Sequence, residues 1–220
     1  MDLLEGIETR RSVRGFKSTP VAEETLHKIL RLASCSPSYT NTQPWELAVV
    51  SGERRDALSR ILYDLASAGV PSSSEIPVPA QWPSELASRA SEHNARRFRV
   101  LEVERDDASA RNDLRLLNSR FFGAPCVLLL FLDSSLSPWS VFDMGLFTQT
   151  LALAAHAQGL GTCLQASLTH YPDAVRDFLG LPRNKKLMLG ISLGYPDPQA
   201  KLNSYQSSRV GVDDFVKWYA

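Results

Sequence analysis

The sequence has no apolar run that approaches the roughly 18 residues of a transmembrane helix, so no membrane partner is expected. It has no excess of charge either, because 24 Lys and Arg residues balance 24 Asp and Glu residues. Proteins that bind nucleic acid through bulk charge have a basic excess, so no nucleic-acid partner is expected. Its length of 220 residues is enough for one domain with a substantial core.

Cysteine is scarce, and its spacing argues against a disulfide framework or a redox pair. Cys35, Cys126 and Cys163 are an odd number with no C-x-x-C pair, which is typical of reduced thiols. The last two stand in apolar runs, where cysteine usually serves as a small core residue. The first residues contain no basic segment followed by an apolar one, so no signal peptide is expected. A soluble cytoplasmic protein is therefore predicted.

Three common site patterns are also missing. The four histidines are scattered without metal-ligand spacing, so no metal site is predicted. A dinucleotide fingerprint starting at Gly159 fails, because Leu164 stands where its last glycine is needed. The G-x-S-x-G pattern around Ser192 is followed by Tyr195 and Pro196 rather than by the helix of a nucleophile elbow. No catalytic nucleophile, acid or base is assigned.

Two polar motifs stand out against this background. Residues 10–14 pack three guanidiniums and a hydroxyl close together, which is a good donor set for a phosphate. Residues 37–45 form a run of small polar side chains closed by Pro44 and Trp45, suited to a flat polar ligand. Together they indicate a site for a phosphorylated aromatic cofactor. A second basic cluster at residues 96–99 is interpreted as a solvated helix face.

These motifs resemble those of the FMN-dependent nitroreductase superfamily, whose R-R-S-x-R and P-S-x-x-N-x-Q-P-W patterns appear almost unaltered. Residues 159–163 resemble the G-L-G-T-C turn of that family, and residues 189–196 resemble its penultimate strand and G-Y-P turn. Arg209 resembles its C-terminal phosphate-binding arginine. The resemblance covers nearly the whole chain, and only the segment from about residue 65 to 120 matches weakly.

The resemblance implies a role for each motif. It implies that Arg10 and Ser12 bind the FMN phosphate and that Arg14 lies near the N1–O2 edge of the isoalloxazine ring. It implies that backbone groups of residues 164–166 meet the N5 side of the flavin, and that residues 37–41 contact the flavin bound mainly by the other subunit. The implied cofactor-binding residues are Arg10, Arg11, Ser12, Arg14, Pro37, Ser38, Asn41, Leu164, Gln165, Ala166 and Arg209.

The expected fold is α+β: a central mixed sheet surrounded by helices, in an intertwined homodimer with two FMN sites. One domain is expected over residues 1–220, with a variable lid at about 65–120 and a dimer-wrapping extension at about 199–220. Strands are predicted at residues 46–51, 125–133 and 187–193. A helix at 141–157 is charge-free from residue 144 to 155, and a helix that is apolar all round must be buried on all sides, which favours a subunit interface. Thr19 is a predicted N-cap with Pro20 opening the next helix.

The expected activity is NADPH- or NADH-dependent reduction of a nitroaromatic or quinone-like acceptor by a ping-pong mechanism. Two alternatives stay open from the sequence. The same fold supports reductive dehalogenation or flavin destruction, and the chain could instead be a non-enzymatic flavin carrier.

Overall fold

The computed structural model describes residues 2–104 and 106–219. Met1 and Ala220, at the ends of the predicted domain, and Arg105, in the predicted lid, lie outside the described residues. The helices found in the described ranges are α1 (Leu3–Thr9), α2 (Glu23–Ala33), α3 (Gly52–Ser67), α4 (Ser84–Leu101), α5 (Ala108–Leu116), α6 (Pro138–Ala157) and α7 (Pro172–Leu179). The strands are β1 (Glu46–Ser51), β2 (Cys126–Asp133), β3 (Gly161–Gln165) and β4 (Lys185–Gly194).

The strands form one sheet in the order β1-β2-β4-β3, and each pair of neighbours is antiparallel. The expected mixed character is limited to one isolated parallel bridge, between Ser12 and Thr162. β3 therefore lies at an edge of the sheet, and the N-terminal segment runs along the outer side of that edge.

Helices cover both faces of the sheet, which explains why β2 reads as a continuous apolar run. Successive side chains of a strand point to opposite faces. Leu128 and Leu130 accordingly join the core cluster that contains side chains of α2 and α6. Leu129 and Phe131 join the cluster on the other face, with side chains of α3 and α7. The predicted α+β class is confirmed.

Helix α6 is longer than predicted, since it begins at Pro138, and proline is favoured in a first helical turn. Its charge-free part is largely buried inside this chain, with Phe147 and Leu151 in the core. Before that part, near the start of the helix, Phe142 and Val141 are 62% and 46% exposed. None of the helices in the described parts of the chain is long and apolar enough to cross a bilayer.

The predicted start of the second helix is wrong. Thr19 and Pro20 lie outside any helix or strand, and α2 begins at Glu23 with Ala22 as its N-cap. Two carboxylates, Glu23 and Glu24, occupy the first turn, where they interact favourably with the helix dipole. The position of these charges is a better signal for the helix start than the capping pattern was.

Candidate functional site

Residues 10–14 are fixed in place by their backbone. Ser12 bridges Thr162 of β3, and the Val13 N–H donates to the Thr162 carbonyl at 2.9 Å. Gly161 makes this approach feasible, because a Cβ there would lie 2.5 Å from a methyl carbon of Val13. The side chain of Val13 is buried, whereas those of Arg10, Ser12 and Arg14 are half-buried. Pairing with the sheet edge thus holds the polar side chains at the surface.

Asn203, which sequence reasoning missed, locks the end of this segment. Its side-chain oxygen accepts the Arg14 N–H at 2.7 Å, and its amide nitrogen donates to the carbonyls of Gly15 at 2.8 Å and Asp197 at 2.9 Å. Asn203 is buried, so these bonds satisfy an amide that would otherwise be costly to bury. It ties the N-terminal motif to the segment that leads to Arg209.

The cations of the motif are close to one another and have no carboxylate partners. The pKa of Arg10 is lowered by burial and by the nearby charge of Arg209. The Arg209 guanidinium donates only to neutral oxygens of Ser207 and Ser208. Within the described ranges, the guanidiniums of Arg10, Arg11 and Arg14 form no ion pair. An anionic ligand would compensate this concentration of charge.

A cavity of about 80 Å³ adjoins Arg14. Its lining residues are Arg14, Arg97, Leu114, Asn118, Phe122, Cys163, Leu164, Gln165 and Leu202. The Gln165 amide nitrogen donates to the Asn118 backbone and side-chain oxygens at 3.1 and 3.3 Å, and its oxygen accepts the Ser192 hydroxyl. These bonds hold the polar wall of the cavity rigid.

Residues 164–166 lie at the end of the edge strand β3 and at the start of the turn that follows it. Leu164 is the exposed member of the otherwise buried β3, at 38% exposure, and Ala166 opens a short 3-10 turn. Gln165 is buried at 3% exposure. The end of β3 therefore presents its backbone and the Leu164 side chain next to the cavity. The buried Gln165 side chain holds this strand end in place through its hydrogen bonds to Asn118 and Ser192.

Residues 37–41 lie elsewhere in the chain, against α6. The Ser38 hydroxyl accepts the Gln43 N–H at 2.9 Å, and the Tyr39 N–H donates to buried Asp143 at 3.0 Å. Pro37 and Asn41 are exposed. No hydrogen bond or ring contact between described residues joins this loop to the arginines. A single chain thus leaves the two predicted halves of the site apart.

The loop also has a strained backbone. Thr40, Asn41 and Gln43 have φ angles of 47°, 57° and 49°. Positive φ is uncommon outside glycine, and it is a marked outlier for the β-branched Thr40. Such conformations persist where surrounding bonds enforce them, and they concentrate at ligand sites.

Comparisons with known proteins give the family of the chain. A model of the nitroreductase family matches residues 7–195. The chain belongs to the nitroreductase family. It is 35% identical over 214 residues to a 4-nitrobenzoate reductase of Pseudomonas putida, covering 96% of this chain and 92% of that enzyme. It is 36% identical over 219 residues to nitroreductase NfnB of Mycolicibacterium smegmatis, covering 96% and 90% of the two chains.

Solved structures of nitroreductases share the fold in detail. The crystal structure of the FMN-dependent nitroreductase NfnB from Mycobacterium smegmatis in complex with NADPH superposes with a TM-score of 0.94 at 34% identity. The match covers 99% of this chain and 97% of that one. An FMN- and NADPH-dependent NfnB from a Sphigopyxis strain matches over the full length of both chains, with a TM-score of 0.95 at 30% identity.

The segment predicted as a variable lid is partly fixed in this chain. Glu75 accepts hydrogen bonds from the buried Arg176 and from the Leu187 N–H, both at 2.8 Å. The Ser73 N–H donates to the His170 carbonyl at 2.8 Å. The proline-rich loop at residues 69–83 is thus anchored in its first half.

Helix α4, which follows this loop, docks on the chain segment before Arg209. The Tyr205 hydroxyl lies 3.0 Å from His93 Nδ1, and Arg96 donates to the Ser208 hydroxyl at 2.9 Å. Burial lowers the pKa of His93, as do the surrounding arginine charges, led by Arg97. The interpretation of residues 96–99 as a solvated face is wrong for Arg97, which lines the cavity.

Ser192 has a structural role, in agreement with its rejection as a nucleophile. It is fully buried within β4 and donates to Gln165. Cys126 and Cys163 are buried and free, and burial raises the pKa of both thiols, that of Cys126 to about 12. A thiol with a raised pKa is a poor nucleophile, which fits their prediction as core residues.

Proposed function

We propose that this protein is an FMN-dependent oxidoreductase that uses NADPH or NADH to reduce nitroaromatic or quinone-like acceptors by a ping-pong mechanism. The observation that carries the proposal is the cluster of arginines around Arg10, Arg14 and Arg209, which forms no ion pair with a carboxylate among the described residues. The names of the relatives support it, since they include a nitrobenzoate reductase and an FMN-dependent enzyme bound to NADPH.

The donors at the N-terminal motif fit a phosphate. Arg10 and Arg209 are close enough for the charge of one to lower the pKa of the other. The Ser12 hydroxyl makes no hydrogen bond with another described residue and adds a neutral donor. A phosphate dianion bound there would relieve the repulsion between the arginines and accept bidentate hydrogen bonds. Arg11 is exposed and adds to the positive potential.

The neighbouring cavity fits one end of a flavin ring. Arg14 and the end of β3 border it from two sides, so a flat ring could lie on the backbone at Leu164 with its polar edge toward Arg14. The edge position of β3 supports this arrangement at Leu164, because residues 12 and 13 pair with this edge at Thr162, whereas a central strand would be paired on both sides along its length.

When bound, FMN supplies the redox chemistry, taking hydride from NAD(P)H and later passing two electrons to the acceptor. The task of the protein is then electrostatic and geometric. Arg14 compensates the negative charge that reduction puts on the N1–O2 edge of the ring. Arg10, Ser12 and Arg209 hold the phosphate, and the rigid Gln165 wall keeps the ring edge at a fixed distance from Arg14.

In this proposal the protein is a homodimer, and each complete flavin site contains residues of both subunits. Apolar side chains remain exposed on α1, α6 and the C-terminal segment, which supports a partner surface. They are Leu3 at 70%, Leu4 at 69%, Trp139 at 57%, Phe142 at 62%, Phe215 at 66% and Trp218 at 82%. The strained loop at residues 37–41 would then meet the flavin of the other subunit. Residues 1–220 form one domain, located in the cytoplasm, whose tail from about residue 199 wraps the partner.

The test is to purify the protein from an FMN-replete host and release its flavin by denaturation. About one FMN per chain is expected. Anaerobic NADPH or NADH should bleach the bound flavin, and a nitroaromatic added afterwards should restore the colour. A colourless protein that does not quench FMN fluorescence contradicts the proposal. Bound FMN that no nicotinamide reduces indicates a carrier, and turnover only with a halogenated acceptor indicates a dehalogenase.

A further inference from the structure

Two consecutive arginines on α4 have different surroundings. Arg96 donates to the Ser208 hydroxyl at 2.9 Å and pairs with Glu92 at 3.0 Å. Arg97 forms no hydrogen bond or ion pair with another described residue, and its Nε is buried without a partner. Its guanidinium lies over the ring of Phe98, at 5.4 Å from the centroid. An unpaired buried donor is costly, which points to a ligand for Arg97.

Arg97 and Arg14 line the same cavity, although they come from helix α4 and from the N-terminal segment. The neutral polar groups of this cavity are already engaged. Gln165 uses both ends of its amide, and the Asn118 amide nitrogen donates to the Arg115 carbonyl at 2.9 Å. The two guanidiniums are therefore the donors still open toward the cavity.

The charge of this pair is not balanced by any acid. Neither arginine has a carboxylate within ion-pair distance in the described parts of the chain. Burial and the charge of Arg14 both lower the pKa of Arg97. A group in this cavity that carries, or develops, negative charge would relieve the repulsion between the two cations.

We propose that Arg97 supplies a second positive charge at the N1–O2 edge of FMN, opposite Arg14, so that helix α4 closes the flavin site. This inference rests on the proposed FMN-dependent function. Oxidised flavin is neutral at that edge and reduced flavin is negative there, so a second cation stabilises the reduced ring more than the oxidised ring. Arg97 would then help to set the reduction potential, while Arg10 and Arg209 hold the phosphate.

The experiment compares Arg97→Gln with Arg97→Lys and Arg96→Gln on flavin-saturated protein. The midpoint potential is measured against a reference dye, and the dissociation constant of oxidised FMN is measured by fluorescence quenching. Arg97→Gln should reduce the preference for reduced over oxidised FMN about tenfold, which lowers a two-electron potential by about 30 mV. Arg97→Lys keeps the charge and should retain most of the potential. Arg96→Gln should match the wild type, because Arg96 points to Ser208.

Each other outcome has a distinct meaning. If the wild type binds no FMN, the proposed function itself fails. If the wild type binds FMN and Arg97→Gln keeps the wild-type potential, the assignment of Arg97 to the ring edge is overturned while the function stands. The assignment is also overturned if Arg97→Gln raises only the KM of a carboxylated nitroaromatic, because Arg97 then binds the acceptor. Equal shifts in Arg97→Gln and Arg96→Gln would attribute the effect to general loosening of α4, again against the proposal.

Discussion

Residues 10–14 and residues 37–41 are the two motifs that identify this chain, and the fold treats them differently. The first segment is paired to β3 and locked by Asn203, with its cations beside other elements of the same chain. The second is held against α6 through Asp143 and is closed on itself by the Ser38–Gln43 hydrogen bond, in a strained conformation, with exposed side chains that reach no described residue of the arginine site. The first has its charges gathered within one chain, and the second is the segment that our proposal assigns to the flavin of a partner subunit.

The pairing of residues 10–14 with β3 is best disrupted at Gly161, where we expect the largest loss of stability and of FMN affinity. A Cβ there would lie 2.8 Å from the Val13 Cβ, so Gly161→Ala must displace the segment. Overpacking of this kind costs about 1–3 kcal/mol. Urea denaturation should give a lower free energy of unfolding, and FMN titration a weaker affinity. Gly145→Ala is the control, since a Cβ there meets no atom within 4 Å and should not lower stability. Wild-type FMN affinity in Gly161→Ala would disprove the anchoring role.

Removal of Arg10 or Arg209 tests the charges rather than the backbone. A hydrogen bond to a charged group contributes about 1.5–3 kcal/mol, so each alanine variant should bind FMN roughly ten- to a hundredfold more weakly. Titration by fluorescence quenching measures the change, and the exposed Arg31→Ala on α2 serves as the control. Unchanged affinity in both variants would mean that the phosphate binds elsewhere.

Arg14→Ala tests whether Arg14 has a different role from Arg10 within residues 10–14. It removes a cation from the proposed ring edge, so the midpoint potential should fall and reduction by NAD(P)H should slow in flavin-saturated enzyme. Anaerobic stopped-flow and dye-linked potentiometry measure both quantities. Arg14→Lys should stay near the wild type. A wild-type potential in Arg14→Ala would show that this residue does not lie at the ring edge.

The attachment of residues 37–41 to α6 is tested by changing Asp143, and the expected effect is a local change in amide hydrogen exchange. Asp143→Ala removes the acceptor of the Tyr39 N–H, a hydrogen bond to a carboxylate that contributes about 1.5–3 kcal/mol, and the loss should stay within the loop and leave the arginine site in place. Amide hydrogen exchange of residues 38–43 should speed up, and that of residues 10–14 should not. Asp143→Asn keeps an acceptor and should exchange more slowly than Asp143→Ala. Faster exchange in both segments would mean that they are not independent.

The smallest effect expected is on the pH dependence of stability. The pKa values of His93, His156 and His170 are all lowered, with burial as the largest cause. The unfolded chain therefore binds more protons just below its histidine pKa of about 6.5. Stability should be full above that pH and fall as the pH drops toward the lower folded-state pKa values. Urea denaturation at pH 7.5 and 5.5 measures this fall, and His93→Gln should reduce it. A wild type that is more stable at pH 5.5 contradicts the sign.

The sequence predicted well wherever local pattern and burial agree. β1 was predicted with its observed bounds, and the apolar run of β2 is buried on both faces as its composition indicates. The N-terminal motif was recognisable because several guanidiniums and a hydroxyl fall within five residues. The G-x-S-x-G pattern was rejected on its context, and Ser192 is indeed buried in a strand.

The rest depends on contacts between distant parts of the chain. Asn203 is joined to Arg14 across 189 positions, and an isolated asparagine carries no signal for such a bond. In the sequence, Arg97 cannot be distinguished from its exposed neighbours Arg96 and Arg99. Which of the three faces the cavity depends on how helix α4 is oriented against the rest of the chain. The helical periodicity does carry a weak signal, because His93 and Arg97 are four residues apart and share a face.

The comparison of the two segments is tested most directly by mixing subunits. Arg10→Ala/Arg209→Ala subunits would be combined with Ser38→Ala/Asn41→Ala subunits, each of which alone should bind FMN weakly. If one flavin site takes its arginines from one chain and its loop from the other, a mixed dimer contains one intact site. Titration of isolated mixed dimers should then give one FMN bound per dimer with wild-type affinity. Mixed dimers that bind FMN no more tightly than their parents would contradict a site shared between subunits.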